Sequence, residues 1–387
     1  VMLMAAGFCM LEAGLVRSKN AAGQSLKNVG LYSIAGIMFA LLGYNLMYMD
    51  VSTWVGSISL WSPGEIAILN DDGDPSYSSG SDWFFQMVFC AATASIVSGA
   101  VAERVRIPAF FVFTIILTGI IYPIQGSWSW GQGYLYQAGF LDFAGSTIVH
   151  SVGGWAALTG CIIIGARKGK YSEDGSVNPM PGSNLPMATL GVFLLWFGWF
   201  GFNGGSQLAM GSAADVNDIS NIYINTNLAA AAGAVAALII TSLLYNGKMD
   251  LTMVLNGALG GLVAITAEPL APSPYLAMLI GAIGGAIVVF AVPLLDQFKI
   301  DDVVGAIPVH LFAGIWGTIA VVFSNTDANI GSQILGIVTV GIFVVVTSSI
   351  VWLAIKYTIG DRVSEEEEDN GVDYSSTGLS AYDLSSK

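Results

Sequence analysis

Only two histidines occur in this chain of 387 residues, and both lie inside strongly apolar stretches. One is His150 in "LDFAGSTIVHSVGGWAALTGCIIIG", and the other is His310 in "IDDVVGAIPVHLFAGIWGTIAVV". A neutral imidazole offers one hydrogen-bond donor and one acceptor, and it changes protonation near neutral pH. Placed deep in hydrocarbon such a group is costly, and it marks a pathway or a proton relay. The chemistry open to this pair is proton transfer and the guidance of a small polar solute. Two histidines can also act as axial haem ligands, but the glycines and small residues around these fit a slot better than a wide cavity. Catalytic zinc takes three protein ligands, and HExxH is absent. No metal, no cofactor and no enzymatic reaction is expected.

The two segments align at an offset of 160 residues. Asp142, Gly145, Val149, His150 and Gly154 fall on Asp302, Gly305, Val309, His310 and Gly314, a shared D-x-x-G-x-x-x-V-H-x-x-x-G. Each histidine follows its aspartate by eight residues, about 12 Å along a helix, and so lies near the centre of a ~30 Å hydrocarbon core. Gly154 and Gly314 share a helix face with their histidines and allow close helix approach. Asp142 and Asp302 read first as helix N-caps.

The elements that carry these residues are membrane helices. Hydrophobic residues make up 54% of the chain and charged residues 10%, with mean hydropathy +0.69. A soluble domain carries about 25% charged residues, so this chain cannot coat a globule with ionic surface. Apolar segments fall at about 1–16, 28–49, 83–102, 107–125, 143–165, 186–204, 220–245, 251–267, 275–295, 303–323 and 333–358. The expected fold is all-α and polytopic, with eleven transmembrane helices. The histidines occupy the fifth and tenth. A unit with an odd number of helices must re-enter from the opposite face, so two inverted five-helix repeats, about 1–165 and 186–323, precede a final helix at 333–358. Inverted repeats place their site at the repeat interface near the midplane.

All thirteen basic residues flank one set of alternate loops, from Arg17, Lys19 and Lys27 to Lys356, Arg362 and Lys387. The positive-inside rule then puts the N-terminus outside and the C-terminus in the cytoplasm. The chain opens inside an apolar run, "VMLMAAGFCMLEAGLV", read as the remainder of a first transmembrane helix. Residues 1–358 form the membrane domain. Residues 359–387 form an acidic cytoplasmic tail, partly disordered by composition. The net charge of −14 reflects that tail and the outer loops and offers no nucleic-acid surface. Cys9, Cys90 and Cys161 are far apart in apolar segments and read as buried small hydrophobes.

Several long segments, "GLVRSKN", "FCAATASIVSGAVAERVR", "LDFAGSTIVH", "WFGWFGFNGGS" and "DDVVGAIPVHLFAGIWG", resemble the Amt/Mep/Rh family of ammonium transporters, in the family's order and over nearly the whole chain. The resemblance implies a homotrimer in a cell (inner) membrane, each protomer with a narrow pore through His150 and His310. It also implies an outer ammonium recruitment site at Trp130, Ser206 and Phe85, a phenylalanine gate at Phe89 and Phe202, and a supporting buried acid at Asp142. Residues alone would make Trp130 an interfacial belt residue and the two phenylalanines ordinary core. The family's trimeric PII nitrogen-regulatory protein is a possible partner at the cytoplasmic face. The tail's "TGLSAY" lacks the histidine and glutamate of the corresponding family stretch, which weakens the case for control through the tail. Pro308 and Leu311 depart from the glycine-richer pattern of several relatives. An ammonium sensor on the same fold is the alternative function; sensory relatives carry an appended signalling domain.

Overall fold

The computed structural model describes residues 1–64, 67–69 and 75–382. Eleven apolar helices make up the bundle among the described residues: α1 (Leu3–Leu15), α2 (Ser18–Tyr48), α3 (Ser79–Ala100), α4 (Ile107–Ser127), α5 (Ser146–Ile164), α6 (Leu185–Gly205), α7 (Ala213–Leu244), α8 (Leu251–Ile265), α9 (Pro274–Gln297), α10 (Ile307–Phe323) and α11 (Ile330–Thr358). Eight are long and apolar enough to cross a bilayer alone, and α1, α8 and α10 are shorter. A short hairpin, β1 (Ala67–Leu69) and β2 (Pro75–Ser78), decorates the loop before α3.

Small residues set the helix spacing. Without a hydrophobic force between helices in lipid, close backbone approach is what van der Waals attraction needs. Cβ atoms built on Gly7 and Gly14 of α1 would lie within 3 Å of the α6 backbone at Leu195 and Ala188. Gly233 of α7 faces Gly257 and Gly281, so the "GALGG" and "GAIGG" runs of α8 and α9 serve packing within one protomer.

Basic residues gather at one face, where they join the ends of several helices. Glu103, past α3, pairs with Arg17 beyond α1 at 2.5 Å and with Arg167 beyond α5 at 3.4 Å. Arg167 also binds Asp301, ahead of α10, with Nε and Nη2 at 2.8 and 2.9 Å. Burial alone would raise the Asp301 carboxyl, but hydrogen bonds from Arg167 and the charges of Arg104 and Arg167 hold it well below the usual carboxylate range. Lys27 departs from its expected place as a loop residue. It lies within α2, buried, with its Nζ donating to the Ser98 carbonyl at 2.8 Å.

The acidic tail is more ordered than its composition predicts. Residues Glu365–Asn370 (α12) and Val372–Thr377 (α13) are helical. Glu368 accepts from Arg362 and from the Lys168 backbone, Asp373 accepts the Gly23 N–H at 2.8 Å, and Val372 N–H donates to Asn20. Charge that would be solvated in an isolated peptide is neutralised here by the basic face.

Candidate transport pore

The shared Asp-x-x-Gly opens both histidine helices in the same way. Gly145 and Gly305 have φ of +107° and +80°, a left-handed conformation that disfavours any side chain. That turn brings the Asp142 carboxylate over the helix start. Its Oδ1 accepts from Gly145 and Ser146 N–H at 3.0 and 2.8 Å, and its Oδ2 from Thr147 and Ile148 at 2.8 and 2.9 Å. Asp302 repeats this with Gly305 at 3.1 Å and Ile307 at 2.6 Å. Capping is therefore the observed role of both acids, and all four N–H contacts leave Asp142 little capacity for a solute. The continuous eight-residue helix expected between aspartate and histidine is not formed. The helices start at Ser146 and Ile307, and each histidine sits in a wide first turn, with His150 N–H donating to Gly145 O five residues back. Such π-type turns are rare and recur at functional sites.

The two inverted helices cross where glycine permits. A Cβ on Gly154 would lie 2.7 Å from Leu311 N, and one on Gly314 would lie 2.6 Å from Ser146 O. This crossing delivers His150 Nδ1 to 3.1 Å from His310 Nδ1, with the rings stacked at 5.1 Å and 20°. One Nδ1 must carry the hydrogen and the other accept it, so the ring donating through Nδ1 has a bare Nε2. His150 Nε2 is buried without a protein partner. A porphyrin has no room between rings this close.

An aromatic column leads to His150. Phe89 and Phe202 lie 3.9 Å apart, both fully buried, and Phe202 stacks on His150 at 5.2 Å. Phe85 and Trp130, half-buried, flank Phe89 at 4.6 and 5.9 Å. Trp130 Nε1 donates to the Asp142 carbonyl at 2.8 Å, which ties this indole to the cap of the histidine helix. Ser206, half-buried one turn beyond Phe202, donates to the Phe202 carbonyl at 2.8 Å, and its neighbour Gly205 abuts the Phe85 ring. The column thus runs from Phe85 and Trp130 through Phe89 and Phe202 to the histidines, and Ser206 meets it only through the Phe202 carbonyl.

Two side chains of the column were not singled out in the sequence. Trp199 stacks on His150 at 4.9 Å and is locked by its Nε1 donating to Thr266 at 2.8 Å. Phe8 approaches His310 at 6.1 Å. Trp199 lies three residues before Phe202 in "WFGWFGF", a helical spacing that puts both on one face, and that spacing was the available signal.

The Ammonium Transporter Family model matches residues 1–382. The chain belongs to this family. Its relatives include the ammonium transporter Amt2 of Archaeoglobus fulgidus, 41% identical over 416 residues with 99% of this chain and 86% of that protein covered. The ammonium transporter of Bacillus subtilis is 34% identical, covering 99% and 95%. Among solved structures, one described as a sensor Amt protein superposes with a TM-score of 0.90 at 36% identity, covering 97% and 95%. Candida albicans Mep2 superposes at 0.81 with 27% identity, covering 94% and 84%. The family assignment makes the chain a multi-pass membrane protein with the eleven-helix, inverted-repeat fold.

Proposed function

We propose that this protein transports ammonium by stripping a proton from the ion at the base of the aromatic column. The observation that carries the reading is the direct Nδ1 contact between the two buried imidazoles at the end of a closed phenylalanine pair. Ammonium is recruited between Trp130, Phe85 and Ser206, where an indole face contributes about 0.5–2 kcal/mol of cation–π attraction. Beyond Phe89 and Phe202 the passage is too dry for an intact ion, whose transfer into a low-dielectric medium costs on the order of tens of kcal/mol before compensation. The neutral base does not meet that barrier. Ammonium gives its proton to the bare Nε2 of His150, and ammonia passes on. The His150 Nδ1 proton moves to His310, and proton and ammonia recombine inside. Asp142 supports the site by fixing the start of α5 and the Trp130 indole. Potassium has no proton to give up, so the same barrier excludes it.

This reading includes a membrane domain of residues 1–358 and a cytoplasmic tail of 359–387, in an inner membrane with the N-terminus outside. The concentration of the Arg17, Arg167 and Arg362 ion pairs on one face supports that orientation. A homotrimer, and docking of a PII-type protein on the basic face, remain part of the proposal by family resemblance. Likeness to the sensor Amt structure favours a second reading in which binding is reported rather than flux. Ammonium-evoked current in proteoliposomes tests the first: charge movement with ammonium and none with potassium supports it, and uptake without charge movement refutes proton transfer.

A further inference from the structure

Beyond His310 the structure holds a buried acid that the aromatic column does not include. Glu12, near the end of α1, is 1% exposed. Its Oε2 accepts hydrogen bonds from Gln24 Nε2, from Asn28 Nδ2 at 2.7 Å and from Ser98 Oγ at 2.8 Å. Its Oε1 has no protein partner. Glu12 and His310 line one small cavity with Phe8, Ser95, Val304 and Val309, and neither His150 nor the phenylalanine gate borders it. The cavity measures about 10 Å³, close to the ~10–15 Å³ that admits one water. Lys27 lies nearby on α2 and donates to the carbonyl of Ser98, the same residue whose hydroxyl holds Glu12.

Three donors on one carboxylate oxygen and none on the other leave a single place for a proton, and that place is on the oxygen without a protein partner. We propose that Glu12 is a proton-relay residue that takes the proton from His310 across this cavity and releases it toward the basic face. In the transfer, the shared Nδ1 proton first passes from protonated His150 to His310. The His310 Nε2–H bond then breaks as a cavity water protonates Glu12 Oε1 and takes up the imidazolium proton. The carboxylic acid later gives its proton to water or ammonia on the inner side, and no electron changes hands. Lys27 balances the carboxylate charge once the proton has left. The proposal rests on the deprotonation reading above and adds to it the route by which the proton leaves the histidine pair.

The test uses the full-length chain in proteoliposomes, with ammonium-evoked current and ammonia permeability, read from lumenal alkalinisation, measured on the same preparations. Glu12→Gln preserves shape and an oxygen acceptor for the three donors but cannot ionise. The expected result is a current reduced roughly a hundredfold, the scale of a lost proton-transfer group, with ammonia permeability unchanged. Glu12→Asp, which keeps an ionisable group one methylene further back, should retain part of the current, and it carries the test if the glutamine variant does not reconstitute. An unchanged current in Glu12→Gln overturns the relay, as does a parallel fall of current and permeability, which marks a structural role. If His150→Ala and His310→Ala lose current while Glu12→Gln keeps it, the relay alone fails. If the wild type carries no current, the deprotonation reading fails and the relay with it.

Discussion

Replacing Gly154 by alanine tests whether the helix crossing sets the imidazole contact. A Cβ there would lie 2.7 Å from both the backbone nitrogen and the Cβ of Leu311, whereas ordinary contact begins at 3.4 Å. The crossing must therefore open by the difference, about 0.7 Å, because backbone atoms cannot rotate away as a side-chain tip can. Leu311 directly follows His310, and Gly154 is one turn past His150. A full transfer of that opening stretches the 3.1 Å Nδ1 contact to about 3.8 Å, outside hydrogen-bond range. Overpacking of this kind costs about 1–3 kcal/mol, which lowers the thermal midpoint without abolishing the fold. Misplacement of reacting groups by about 1 Å can reduce a rate roughly a hundredfold, so ammonium current in proteoliposomes should fall by up to that factor. Gly80→Ala is the control, since its Cβ would meet nothing within 4 Å. A Gly154→Ala protein that matches wild type in both midpoint and current would refute this account of the crossing.

Other consequences follow from the same geometry. Phe202→Ala removes a fully buried ring packed on Phe89 and His150; it should destabilise by about 3–5 kcal/mol and admit potassium current, and a variant that still excludes potassium would argue against the gate. Asp301→Ala leaves Arg167 buried without its bidentate partner and should cost about 3–5 kcal/mol in thermal or denaturant unfolding. Burial tends to raise the Glu103 carboxyl, but Arg167 and Arg17 hold it low, as arginine does for Asp301. Because both folded values are depressed, their stabilisation is complete above the ordinary carboxylate pKa of about 4. It is lost as pH falls through the depressed values, so acid unfolding should set in below roughly pH 4 and be shallower in Asp301→Ala. Asp373→Ala releases the tail from the Gly23 amide and should speed protease cleavage within 364–382; cleavage at the wild-type rate would show that contact to be idle.

The sequence made the histidine pairing legible because a duplicated motif repeats every residue that the local geometry requires. Gly145 and Gly305 turn the chain, Asp142 and Asp302 cap it, and Gly154 and Gly314 admit the partner helix. Helix number and order were legible because lipid demands long apolar runs. What stayed hidden depends on contacts between distant segments. Lys27 looked like a loop cation because only tertiary packing reveals the Ser98 carbonyl that receives it. The tail looked disordered because its acids find their partners, Lys168 and Arg362, only on the folded basic face. Glu12 carried no signal in "MLEAGLV", since the asymmetry of its two oxygens arises from α2 and α3. The left-handed turns at Gly145 and Gly305 likewise delay the helix starts to Ser146 and Ile307, past the aspartates from which a continuous helix had been counted.

The most direct test of the central claim is ammonium-evoked current in proteoliposomes holding wild type, His150→Ala or His310→Ala at equal protein density. The account predicts a robust current in the wild type and its loss in each variant, because removing either ring leaves the other without its Nδ1 partner. An ammonium current of wild-type size in either variant would contradict it.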